Sequence, residues 1–197
     1  MPRRFHSTSQ SHKPEFEPRP RFGTLAILMI LQTPRLRLRE FLPSDLTAYS
    51  AIRDHPDFRL LLNGRDSSPE RSAELLHQFV EWSLESPRSR YQLAIELLTG
   101  GLIGSCGVRI QCVGGSDASF GCELAREHWG RGYALEAGRA LIGFAFNELG
   151  VDRIDAETLA KNQAALALAS RLGMQVEKRH DDKVTLEVLA SEWKSEG

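Results

Sequence analysis

A strand-to-helix turn built on two glycines restricts this chain more than any other feature. It reads Trp129-Gly130-Arg131-Gly132-Tyr133-Ala134. Residues 118–124, ASFGCEL, precede it with strand character. Behind it Ala134, Ala137, Leu141, Ala145 and Leu149 recur at helical spacing until Gly150 stops the run. Such a turn places consecutive backbone N–H groups beside a helix N-terminus, where donors and helix dipole both favour an anion such as a diphosphate. Gly130 and Gly132 permit close backbone approach, and Arg131 adds a positive charge. The same spacing also serves an ordinary tight turn, so the rest of the chain has to decide between the two.

Around this unit the patterning predicts an α/β domain. Residues 34–41 alternate polar and apolar as a half-buried strand. Pro43-Ser44-Asp45 starts a helix whose apolar positions run through Leu46, Tyr49 and Ile52, and His55-Pro56 breaks it. A second helix spans 69–84. Residues 91–98 and 102–112 form a strand pair about Thr99-Gly100-Gly101. After the helix at 133–149 come a strand at 151–159, a short helix from 163 to 172 capped by Asn162, and closing strands at 175–179 and 184–189. The expectation is a single α/β (α+β) domain: a mixed, mostly antiparallel sheet of about seven strands flanked by four helices.

Composition narrows the classes. The 197 residues suffice for one domain with a real core, and 41% hydrophobic with 26% charged residues is a globular profile. A net charge of -1 implies no general affinity for nucleic acid. Cys106, Cys112 and Cys122 form no Cys-x-x-Cys pair and the histidines are scattered, so no metal site or disulfide framework is expected, and a reducing, cytoplasmic setting fits. Residues 1–28 differ: Pro2, Pro14, Pro18 and Pro20 and a basic excess (Arg3, Arg4, Lys13, Arg19 and Arg21 against Glu15 and Glu17) predict a disordered extension before a domain at 29–197. The apolar run 25–31 is too short to span a bilayer, and no membrane partner is expected. Met29 is a candidate start as well as Met1.

Taken in order, these motifs resemble the GCN5-related N-acetyltransferase (GNAT) superfamily, and most closely its branch of ribosomal-protein serine and alanine N-acetyltransferases. The resemblance runs over about residues 29–197. Its opening is Leu31-Gln32-Thr33-Pro34-Arg35-Leu36-Arg37-Leu38-Arg39-Glu40-Phe41 followed by Pro43-Ser44-Asp45-Leu46. Its centre is Gly121-Cys122-Glu123-Leu124 through Trp129–Ala134 with Glu136-Ala137, and it closes on Asn162 before Gly173. Departures stand at Ala165, where the branch often has Ser, at Met174 for Phe, and at Ala169, where many members carry a general-acid Tyr.

The resemblance implies direct acetyl transfer from acetyl-CoA, as co-substrate and without metal, to a primary amine. The acceptor expected first is a protein or peptide N-terminal α-amine, as on a ribosomal protein. The rivals are a small-molecule acetyltransferase for an aminoglycoside, polyamine or amino acid, and a CoA-binding module without turnover. It implies cofactor contacts at Cys122, Leu124, Trp129, Gly130, Arg131, Gly132, Tyr133, Ala134, Leu135 and Asn162, in a monomer or homodimer. The pantetheine arm would pair with the 118–124 strand edge, and a backbone N–H within 122–124 would face the thioester oxyanion. Glu123, sharing a strand face with Ser119 and Gly121, is the candidate base; an ion-paired structural carboxylate is the alternative. Ser170 is a candidate to assist the thiolate, or an ordinary helix polar residue. Cys122 is read as a packed thiol and Glu136 as structural. Asp54, Asp57, Asp66 and Glu70 would suit a cationic acceptor, offset by Arg59 and Arg65.

Overall fold

The computed structural model describes residues 29–60 and 68–194. The expected disorder of 1–28 therefore lies outside the described residues. Eight strands form one sheet in the order β1-β2-β3-β4-β5-β6-β8-β7. They are β1 (Ile30–Gln32), β2 (Leu36–Glu40), β3 (Arg90–Leu97), β4 (Leu102–Ile110), β5 (Asp117–Leu124), β6 (Arg153–Leu159), β7 (Gln175–His180) and β8 (Lys183–Leu189). The helices are α1 (Leu46–Asp54), α2 (Pro56–Arg59), α3 (Pro69–Ser83), α4 (Tyr133–Glu148) and α5 (Gln163–Arg171).

Two of these elements exceed the expectation. β1 pairs with β2 through a tight turn in which Thr33 N–H donates to the Leu36 carbonyl at 2.9 Å and Leu36 N–H to Thr33 Oγ1 at 3.0 Å. Three residues are too few to show an alternating pattern. At His55-Pro56 the chain restarts rather than stops. Proline suits a first helical turn, and His55 Nδ1 caps it by accepting from the Asp57 N–H at 3.2 Å.

Helices α4 and α5 cover one face of the sheet. Leu38, Ile95, Val108, Leu141, Ile142 and Ile154 are buried in that core. Gly138 brings the two helices together: a Cβ there would lie 3.1 Å from the Leu172 methyls. On the other face α1 and α3 bury a smaller aromatic core, with Phe41 and Tyr49 ring centroids 5.2 Å apart and Tyr49 and Phe79 5.9 Å apart. On the α4 face Arg88 holds the buried Glu40 carboxylate in a two-pronged pair at 2.6 and 3.0 Å.

One irregularity in the sheet positions everything that follows. Every neighbouring pair is antiparallel except β5 and β6, which run parallel and pair only from Asp117–Ser119 to Arg153–Asp155. β6 then stays with β8 along its whole length. The two central strands therefore splay, and the second half of β5 has a free edge.

Candidate active site

Backbone parity shows what that edge offers. The Ala125 N–H donates to the Ile103 carbonyl of β4 at 2.8 Å. Successive residues point their N–H groups to opposite sides of a strand, so Leu124 and Cys122 direct theirs into the gap. The gap holds two adjoining cavities of about 310 and 260 Å³, which share Phe58, Cys122, Glu123, Asn162, Ala165 and Leu168.

The first cavity continues to the glycine turn. Gly130 and Gly132 adopt φ of 71° and 81°, left-handed values that glycine takes without Cβ strain. Gly132 caps α4, and among the described residues the backbone N–H groups of 130–135 have no hydrogen-bond acceptor. Glu136, in the same helical turn, points away to the β1–β2 turn. It accepts from Thr33 Oγ1 at 2.7 Å, from the Arg35 N–H at 2.9 Å and from Arg35 Nε at 2.6 Å. Burial alone would raise its pKa; these bonds outweigh burial and hold it below the usual carboxylate range. Arg35 also lies 4.5 Å over the Tyr133 ring and donates to the Arg131 carbonyl at 3.0 Å. The glycine turn is thus bound to the β1–β2 turn from outside while its inner N–H groups stay available. Trp129 Nε1 donates to the Leu124 carbonyl at 2.8 Å and ties the turn to the end of β5.

Of the residues expected at the cofactor, Cys122, Leu124, Trp129, Gly130, Gly132, Tyr133, Ala134, Leu135 and Asn162 line the first cavity together with Glu123. Asn162 also caps α5 through Oδ1, which accepts from the Ala165 N–H at 3.1 Å. Arg131 is exposed and lines neither cavity. Ser170 is likewise exposed and outside both: α5 buries Ala169, and the next residue is turned about 100° away. The structure does not bring its hydroxyl to the site. Burial, reinforced by the charge of Glu123, pushes the Cys122 thiol up to about 12, so it carries almost no thiolate at neutral pH.

Glu123 sits in a polar network running under β3–β5. Tyr49 Oη donates to its Oε1 at 2.6 Å and Ser105 Oγ to the same oxygen at 2.9 Å, while Arg53 Nη1 pairs with Oε2 at 2.9 Å. Gln92 Nε2 donates to Ser105 Oγ at 3.0 Å, and Arg109 donates to Gln92 Oε1. Burial and then the Glu123 charge raise Tyr49 well above the usual phenol value, which keeps it a protonated donor. None of Tyr49, Arg53, Ser105 or Phe58 was marked by a sequence motif; Tyr49 read as an apolar position of α1. Of the acidic residues expected to suit a cationic acceptor, Asp54 meets Arg59 and Asp57 meets Arg126, each at 2.8 Å. Glu157, at the second cavity and not among them, meets Lys183 at 2.6 Å. Asp66 lies outside the described residues.

Comparison with known proteins agrees with this geometry. The family model described as acetyltransferase (GNAT) domain matches residues 35–175. The uncharacterized N-acetyltransferase p20 of Bacillus licheniformis is 28% identical over 148 residues, covering 75% of this chain and 83% of that protein. The ribosomal-protein-S5-alanine acetyltransferase of Vibrio fischeri superposes with a TM-score of 0.71 at 18% identity, covering 85% and 100% of the two chains. Spermidine N-acetyltransferase of Vibrio cholerae, solved with CoA and spermine, superposes with a TM-score of 0.68 at 19% identity over 81% and 98%. At those identities the two structures speak for the fold alone. The match over residues 35–175, joined to the splayed β5–β6 pair and the glycine turn, shows that this chain belongs to the GNAT family of acetyltransferases.

Proposed function

We propose that this protein transfers an acetyl group from acetyl-CoA directly to a primary amine, and that the acceptor is the N-terminal α-amine of a protein or peptide. The observation that carries the reading is the convergence of two sets of unpaired N–H groups, 130–135 and the Cys122 and Leu124 edge, on cavities that Glu123 lines. Acetyl-CoA would supply an activated thioester. The turn would hold its diphosphate, and the free edge of β5 would pair with its amide arm as an added strand. An N–H of Cys122 or Leu124 would stabilise the oxygen on which charge develops.

The acceptor must attack as a free amine. At pH 7 deprotonation costs about 1 kcal/mol for an α-amine and roughly 4.6 kcal/mol for a lysine side chain. Glu123 is the group to receive that proton, directly or through water. The leaving thiolate has a pKa near 8.5 in its free form, so departure needs no strong acid and the lack of Ser170 at the site is no obstacle. The charge pattern favours one cationic group over several: Glu123 and Glu157 line the cavities, and both already face a cationic side chain. A polyamine would meet little unpaired negative charge there.

A panel of N-terminal peptides, aminoglycosides, polyamines and amino acids, read by CoA release, tests the assignment. Release should be fastest with a peptide α-amine and should vanish when that amine is blocked. Faster release with spermidine than with every peptide would overturn the acceptor class.

The diphosphate site has its own test. Gly132→Val forces a branched side chain onto a φ of 81° and crowds the turn. CoA affinity by calorimetry should fall at least about tenfold, as expected when backbone donors at a helix N-terminus lose close approach. Unchanged affinity in a folded Gly132→Val protein would place the diphosphate elsewhere.

A further inference from the structure

We propose that Tyr49 is a positioning residue for acetyl transfer: its hydroxyl, with that of Ser105, fixes one oxygen of the Glu123 carboxylate and leaves the other to the acceptor amine. The inference rests on the reading of Glu123 as the amine's partner. A carboxylate offers about four lone-pair positions. Tyr49 and Ser105 take two on Oε1 at 2.6 and 2.9 Å, and Arg53 takes one on Oε2 at 2.9 Å. The fourth, also on Oε2, has no donor among the described residues, and Glu123 lines both cavities.

The two hydroxyls are themselves immobilised. Tyr49 is fully buried, its ring packed edge-on against Phe41 and Phe79, so the Oη cannot swing away from Glu123. Ser105 is fully buried as well and is held by Gln92. The terminal torsion of a glutamate is intrinsically broad, so a free carboxylate would sample many orientations. Two fixed donors on one oxygen select one of them. Both are neutral, so they add no positive charge beside an incoming ammonium, as a second arginine would. The aromatic core between α1, α3 and the sheet thereby acquires a role at the site: it is the mount on which the Tyr49 hydroxyl is carried.

A double-mutant cycle of Tyr49→Phe with Glu123→Gln, assayed with a peptide acceptor, tests this. Tyr49→Phe keeps the ring and removes only the hydroxyl. It should lower kcat about tenfold, the scale of one hydrogen bond to a charged group, with KM for acetyl-CoA within about twofold of wild type. In the Glu123→Gln background the same change should alter kcat by less than about twofold, since the carboxylate it positions is gone. Wild-type kcat for Tyr49→Phe, or an equal loss in both backgrounds, overturns the proposal. Should Tyr49→Phe fail to fold, Ser105→Ala removes the other donor from the same oxygen and is read in the same cycle with the same outcomes. The two readings fail differently: full activity of Glu123→Gln sinks the role of Glu123, whereas an impaired Glu123→Gln beside an unimpaired Tyr49→Phe sinks only the positioning.

Discussion

Glu123→Gln should lower turnover at pH 7 by at least about tenfold, and by about 10²–10⁴-fold if a typical general-base contribution is lost entirely. CoA affinity should change little, because the groups assigned to the cofactor are backbone N–H groups of the turn and of β5. The gap to wild type should narrow as pH rises from 6 to 9, since an α-amine with a pKa near 7.7–8.0 then supplies its own free form. The variant should also melt lower, because a carboxamide replaces the charged group that Arg53 Nη1 meets at 2.9 Å with a neutral one. Rates must therefore be compared at a temperature where circular dichroism shows both proteins folded. A variant that matches wild type at every pH would make Glu123 an ion-paired structural residue. Orientation and desolvation in the cleft would then have to carry the reaction.

The largest stability loss is expected from Glu40→Ala. Glu40 is 2% exposed and receives both Nη atoms of Arg88, whose side chain is 14% exposed. Removing the carboxylate leaves a guanidinium nearly out of water and unpaired, which costs about 3–5 kcal/mol. For a domain of this size that corresponds to a melting temperature lower by roughly 6–20 °C. Glu40→Leu combined with Arg88→Met should recover most of the loss, because a buried ion pair rarely stabilises more than well-packed apolar side chains of similar volume. A single variant melting within about 2 °C of wild type would mean that water reaches the pair. Arg88 also stacks 4.4 Å over Tyr91, and the double variant gives up that contact together with the ion pair.

Local pattern carried much of the fold. The alternation in β2 and β5, the helical stripe of α4, the glycines that flank it and the Asn162 cap all lie within a few residues of what they specify, and each element formed where it was expected. β1 and α2 escaped because elements of three and four residues are shorter than any period that could reveal them. Ser170 was expected either to assist the thiolate or to be an ordinary helix polar residue, and local pattern could not choose; its direction depends on how α5 rotates about its axis, which the packing of Ala169 and Leu172 decides.

What the sequence by itself determined was the order of elements, the glycine turn at the start of a helix, and the presence of a carboxylate on the strand before it. These follow from backbone preference and short periodicity, which act between near neighbours. What only the tertiary structure decided was the setting of that carboxylate. Tyr49, Arg53 and Ser105 come from 74, 70 and 18 residues away along the chain. The splay between β5 and β6 arises because β6 follows β8 rather than β5. Contacts between distant segments obey shape and burial across the whole core, and no local periodicity records them.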